Sequence, residues 1–338
     1  MNNLSRRSFL SSTFGSIALN ALLQQDASAA GKAQALAGLP HHTPKAKRVI
    51  FLYMSGGPSH LETFDWKPKL AEIDGKPMPE SFTKGQPIAQ LQGKELKAQG
   101  ALTKFKQYGK NGQWISDFLP YHAKMADDIC IVKSMLTDQI NHDPAHTVMN
   151  TGTAISGRPS MGSWINYGLG SESEDLPGFV VMTSHAGRNP QPISQRMWGN
   201  GFLPGRFQGV EFNSTGDPVY YLRNPKGVST EQQRELVYAV SELDRHRNVT
   251  QKNPEVDTRI AQYEMAFKMQ SSVPDLMDIS RETKDTLELY GATPGDGSFA
   301  SNCLTARRLL ERGVRFVQLY HRDWDMHGEL VKYMDVCC

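Results

Sequence analysis

The sequence is short of cysteine, of net charge and of long apolar runs, and each shortage excludes something. Four cysteines in 338 residues are too few for a disulfide scaffold. None forms a Cys-x-x-Cys pair, and Cys337-Cys338 is a vicinal pair that would strain a disulfide, so cysteine offers no zinc site. Cys130 and Cys303 are isolated and read as small core residues. With 37 Lys+Arg against 35 Asp+Glu, the formal charge is +2, and no basic stripe is interleaved with aromatics, so nucleic acid is not an expected partner. Beyond the N-terminal segment, no stretch approaches the roughly 20 apolar residues that a membrane-crossing helix needs. There is no internal repeat and no low-complexity tract. Gly56-Gly57 lacks a following Gly-Lys-Ser/Thr and the dinucleotide glycine spacing, which leaves a tight turn as the reading of that pair.

What is present is globular: 39% hydrophobic and 21% charged residues. A chain of this length buries about three quarters of its unfolded surface, in one large α/β domain or two smaller ones. Residues 1–29 read as an address. Ser5-Arg6-Arg7-Ser8-Phe9-Leu10 sets paired arginines before a modest apolar run to Leu23, and Ala27-Ser28-Ala29 offers a small-residue cleavage site. This is the pattern of a twin-arginine export signal. It predicts passage through the twin-arginine translocase, cleavage after Ala29, a periplasmic or extracellular location and no stable membrane anchor. That route carries folded proteins, often already loaded with a metal or cofactor. Residues 30–47 read as a linker, and residues 48–338 as the folded domain.

Val49-Ile50-Phe51-Leu52-Tyr53-Met54 is a continuous apolar run ended by Gly56-Gly57-Pro58, the signature of a strand buried on both faces. Ile129–Val132, Phe179–Met182 and Val314–Tyr320 are expected to be further strands, and the polar stretch to about Lys110 a surface excursion. Helices are expected over Pro159–Leu169, Thr230–Arg247, Val256–Gln270 with Ile260, Tyr263 and Phe267 on one face, and Phe299–Arg312, stopped by Gly313. Strands alternating with helices predict a mostly parallel sheet covered on both faces.

Ligands of such sheets collect beyond the carboxyl ends of the strands. Three polar segments qualify there: Ser55–Asp65, Asn141–His146 and His321–Gly328, which between them hold five of the ten histidines. Imidazole with carboxylate is the ligand set of zinc and similar divalent ions, so a metal site is the leading expectation.

Met54-Ser55-Gly56-Gly57-Pro58-Ser59-His60-Leu61-Glu62-Thr63-Phe64-Asp65, Arg158-Pro159-Ser160-Met161-Gly162-Ser163-Trp164 and Trp324-Asp325-Met326-His327 together resemble the exported domain of unknown function 1501 family. The resemblance runs from the signal to the last residue. That family is placed in the alkaline phosphatase and sulfatase superfamily, which implies an α/β fold of that type and a metal-dependent hydrolase. It also implies a chain that continues through further strands. Tyr333–Cys338 follows no family pattern, so a sheet incomplete at the C-terminus is expected.

The sulfatase frame Cys/Ser-x-Pro-Ser-Arg-x-x-Leu-x-Thr-Gly is similar to His142–Gly152, which keeps Pro144, Thr151 and Gly152. His142 stands in the nucleophile position and His146 in that of the arginine. Histidine cannot become formylglycine. It can ligate a metal, accept a proton or take a phosphoryl group on nitrogen. Ser55 and Gly56 stand where the superfamily places a metal-holding aspartate, with Glu62 and Asp65 near enough in sequence to reach back. Asp323-x-x-x-His327 resembles the superfamily's metal pair, while Asp325-x-His327 matches the narrower family and shares one face of an extended segment.

The resulting candidates are His60, Asp65, Asp325 and His327 as metal ligands. His142 is the candidate base, ligand or nucleophile, His146 an oxyanion contact or a partner behind the ligands, and Arg158 an anion contact. The ion would be zinc, calcium, magnesium or manganese, and the substrate a small-molecule or polysaccharide ester of phosphate or sulfate. The alternative from another class is a secreted, non-catalytic binding protein on a degenerate scaffold.

Overall fold

The computed structural model describes residues 45–85, 93–184, 186, 190–220 and 222–338. The twin-arginine segment, its cleavage site and most of the linker lie outside the described residues. The chain divides into two compact units. Unit one comprises the chain through Leu52, Gly157–Ser184 and Gln195–Leu319, and unit two comprises Tyr53–Ser156, His185–Ser194 and Tyr320–Cys338.

The strands are β1 (Val49–Met54), β2 (Phe105–Tyr108), β3 (Gln113–Ser116), β4 (Phe179–Ser184), β5 (Val210–Phe212) and β6 (Phe316–His321). The helices of seven residues or more are α1 (His142–Thr151), α2 (Met161–Leu169), α3 (Thr230–Gln251), α4 (Pro254–Met277), α5 (Lys284–Tyr290), α6 (Phe299–Glu311) and α7 (Leu330–Cys337).

Unit one is built on a four-stranded sheet in the order β1-β6-β4-β5. β4 and β5 run parallel, with Val180 opposite Val210 and Met182 opposite Phe212. β1 and β6 also run parallel: Val49 N–H donates to Arg315 C=O at one end, and Ser55 N–H to His321 C=O at the other. The fold is thus α/β with a mostly parallel sheet. Alternation along β4 sends Val180 and Met182 into a core with Val317, Leu319, Ala306 and Leu309, the last two on α6. The opposite face presents Phe179, whose ring leaves no room for a Cβ at Gly162 of α2. Helices therefore cover β4 on both faces.

Local signals start the helices where polar caps permit. Ser229 and Gln232 form a reciprocal capping box at α3, Asn253 accepts from Glu255 N–H before α4, and Ser298 accepts from Ser301 N–H before α6. The buried face of α4 is Val256, Ile260, Met269, Val273 and Leu276. This corrects the expected face: Tyr263 is exposed, and Phe267 is only half buried because it lines a cleft against α3.

Unit two contains the β2–β3 hairpin, antiparallel with Phe105 opposite Ser116 and Tyr108 opposite Gln113. Its first strand lies inside the expected surface excursion and its second just beyond it. Gly109, at φ +69°, starts its turn. The hairpin packs through Ile115 into a small core with Phe118, Leu119, Trp324 and Met334 of α7.

Ile129–Val132 is not a strand, which corrects that expectation. The segment has the alternation of one, since Ile129 and Ile131 pack on this core while Cys130 and Val132 are exposed. It lacks the ladder of hydrogen bonds that would make it part of a sheet. Cys130 is accordingly a surface residue and not a core one, whereas Cys303 is half buried against the unit-one core, with burial pushing its thiol up to about 11. All four cysteines are free.

Candidate metal centre

The residues in question belong to unit two, where the chain leaves β1, opens α1 and leaves β6. α1 begins at His142 because extended Asn141 precedes it, and it ends where left-handed Gly152 donates its N–H to Val148 C=O at 2.7 Å. Four residues apart on a helix is one face. His142 and His146 accordingly stack with ring centroids 6.0 Å apart and planes 25° from parallel. The His142 side chain is 42% exposed, whereas His146 is buried.

The chain after β6 supplies the carboxylate. Ser55 N–H donates to His321 C=O at 2.8 Å and Trp324 N–H donates to Ser55 C=O at 3.1 Å, so the turns after β1 and β6 are knitted together. Gly56 sits in this contact at φ +119°, and a Cβ there would overlap the backbone nitrogen of Asp325. A glycine is therefore required for two reasons: its backbone angle and the close passage of the Asp325 backbone. The tight turn expected at Gly56-Gly57 has this contact as its cause.

One ligand atom each from His142, Asp325 and His327 lie within 4.8 Å of one another. His142 Nε2 is 3.4 Å from Asp325 Oδ2, and His327 Nε2 is 2.8 Å from Asp325 Oδ1. The edge of a tetrahedron of ligands about 2.1 Å from an ion is about 3.4 Å, so the donor set fits a divalent ion in kind and nearly in spread. His327, whose side chain is 76% exposed, has room to rotate toward such an ion. Asp325 is largely buried, 15% exposed, and is the fixed member of the three.

A residue without any motif holds it there. Gln191, 6% exposed, donates from Nε2 to Asp325 Oδ2 at 2.6 Å. Its own backbone is tied twice to Arg322, whose C=O accepts from Gln191 N–H at 2.7 Å and whose Nε donates to Gln191 C=O at 2.6 Å.

Behind His142 lies a buried polar network. Tyr53 Oη and His146 Nδ1 share a hydrogen bond of 2.6 Å, His146 C=O accepts from Asn150 Nδ2 at 2.8 Å, and Asn150 Oδ1 accepts from Tyr320 Oη at 2.8 Å. Burial pushes the Tyr53 phenol up to about 12 and holds the His146 imidazole below its ordinary value, with the neighbouring His142 adding to the latter. His146 Nε2 is buried with no hydrogen-bond partner.

The other sequence candidates stand apart from the cluster. His60 is exposed in a short helical turn, His60–Glu62. Asp65 is paired with Lys67 Nζ at 2.9 Å and Lys133 Nζ at 3.9 Å. Glu62 is buried, which raises its pKa, and accepts from Leu102 N–H at 2.9 Å. Of the two aspartates near His327, Asp325 joins the cluster, whereas Asp323 accepts from Ala186 N–H. Arg158 lies in unit one, exposed, with its guanidinium over the Phe202 ring at 5.9 Å. Gln191 and Tyr53 were not singled out as site residues by sequence. Tyr53 had a signal, two residues before the end-of-strand serine on the same face, and Gln191 had none.

No described helix is long and apolar enough to cross a membrane. The chain belongs to a family described as protein of unknown function (DUF1501), whose pattern matches residues 46–338. No curated protein and no solved structure matches it.

Proposed function

From that membership and the three-ligand cluster, we propose that the protein is an exported, metal-dependent hydrolase of phosphate or sulfate esters. The observation that supports this reading is the meeting of His142, Asp325 and His327, drawn from segments about 180 residues apart, with all three ligand atoms within 4.8 Å. Two imidazoles and one carboxylate would hold a divalent ion and leave a coordination position for water or an ester oxygen. When bound, such an ion polarises the ester and lowers the pKa of a bound water.

The chain's own residues divide the remaining work. His142 serves as a ligand, since its Nε2 faces the carboxylate. It opens a ten-residue helix whose first N–H groups favour an anionic ester nearby. His146, being buried and stacked on the His142 ring, acts as a partner behind the ligand and not as a direct oxyanion contact. Hydrolysis adds water across the ester: the water oxygen bonds to phosphorus or sulfur, the phosphorus–oxygen or sulfur–oxygen bond to the alcohol breaks, and one proton of the water ends on the departing alcohol.

The test is turnover by the full chain, purified after export, on a panel of phosphate mono- and diesters and sulfate esters. The proposal expects metal-dependent hydrolysis of at least one class and its loss in His142→Ala. Metal binding without turnover on any ester would favour the non-catalytic binding protein. Equal turnover in the variant would remove His142 from the site.

A further inference from the structure

The Asp325 carboxylate has two oxygens, and the structure treats them differently. Oδ1 lies 2.8 Å from His327 Nε2, while Oδ2, 3.4 Å from His142 Nε2, also accepts from Gln191 Nε2 at 2.6 Å. A carboxylate only accepts, so the amide must turn its NH2 end toward it. Gln191 cannot easily swing away. It is buried, and its backbone bonds twice with Arg322, three residues before Asp325 in the chain. An amide proton on Oδ2 takes one of that oxygen's two lone pairs and draws its electron density away from an ion, so Oδ2 competes poorly with Oδ1 as a donor.

From these contacts we infer that Gln191 is a positioning residue that fixes Asp325 as a one-oxygen ligand. The cluster is thereby biased toward small, nitrogen-accepting ions of the zinc and cobalt kind and away from calcium. Two imidazole nitrogens already lean that way, because calcium takes six to eight oxygens and commonly a two-oxygen carboxylate. A fixed one-oxygen aspartate removes the remaining accommodation to calcium. This inference rests on the proposed metal site and adds which class of ion that site selects and which residue imposes the choice.

The experiment titrates Zn²⁺, Co²⁺ and Ca²⁺ separately into the metal-stripped full chain and into Gln191→Leu and Gln191→Met, following heat of binding and the visible spectrum of the cobalt form. Thermal melts of both variants check folding, and the Gln191→Met variant, unbranched and nearly the length of glutamine, remains informative should Gln191→Leu fail to fold. Wild type is expected to bind one Co²⁺ with the intense visible absorption of a four-coordinate ion and to discriminate against Ca²⁺. Loss of the amide donor is expected to weaken Zn²⁺ binding by about 10- to 100-fold, narrow the zinc-to-calcium preference and weaken the cobalt absorption as Asp325 turns both oxygens to the ion. Folded variants that bind Zn²⁺ within twofold of wild type, with an unchanged cobalt spectrum, would overturn the role of Gln191 while leaving the metal site standing. Wild type that binds no Zn²⁺ or Co²⁺ would overturn the metal site itself, and this inference with it.

Discussion

Unit one and unit two spend their buried volume differently. In unit one, Val180, Met182, Leu309, Val317 and Leu319 pack carbon against carbon across the sheet and its helices. Unit two has a smaller apolar core, around Ile115 and Trp324, and buries Tyr53, His146, Asn150 and Tyr320 as a hydrogen-bonded polar network. Apolar burial is non-directional and tolerant, whereas a polar network fixes angles and penalises every missing partner. The contrast teaches where stability and where chemistry reside: the sheet of unit one supplies the first, and unit two holds groups whose hydrogen-bonding capacity is left open, such as His146 Nε2 on α1.

That division can be broken from either side. The largest effect on stability is expected for Leu309→Ala, a fully buried side chain of unit one, at about 2–5 kcal/mol by denaturant unfolding. Zinc affinity of the folded fraction should not move. Gly56→Ala should cost about 1–3 kcal/mol for its backbone angle, with an overlap added, and it should also displace Asp325. Calorimetric titration should then show weakened zinc binding that Leu309→Ala lacks. If both variants lose metal equally, the separation of roles is wrong.

A smaller effect is expected for Tyr53→Phe, which leaves His146 Nδ1 buried without its partner, at about 1–3 kcal/mol. The wild-type phenol also predicts a pH dependence. Burial raises its pKa in the folded chain to about 12, so the unfolded chain releases this proton first, near the ordinary value of about 10. Its contribution is complete below that value and is lost as pH rises toward 12. Melting curves between those limits should fall more steeply for wild type than for Tyr53→Phe.

Much of unit one was legible because its elements carry long, one-sided signals. β4 and β6 are apolar runs buried along their length, and α3 and α6 carry serine caps ahead of helical spacing. β1 is a strand as expected but is not buried on both faces, since Ile50, Leu52 and Met54 are exposed where it forms an edge of the sheet. Ile129–Val132 misled because alternation shows which side chains are buried and says nothing about whether a neighbouring strand offers its backbone. The β2–β3 hairpin was hidden by strands of four residues, and β5 by having only three. At the site, Asp325 and His327 were readable from residue chemistry after β6 and from the family resemblance, whereas His142 was found by its chemistry and the resemblance although the strand expected before it does not form. Gln191 was not, because a single amide in a segment without regular structure has no spacing to betray it, and its role exists only through Arg322 and Asp325. His60 and Asp65 share the chemistry of ligands, yet local geometry gives Asp65 to lysines and leaves His60 outside the cluster.

The central claim is that distant imidazole and carboxylate groups meet around a cation. Its most direct test is elemental analysis of the full chain, purified after export without chelator, beside Asp325→Ala prepared the same way. The account predicts about one equivalent of a divalent metal in wild type and its loss in the variant. Less than about 0.1 equivalent in folded wild type, or equal metal in both proteins, would contradict it.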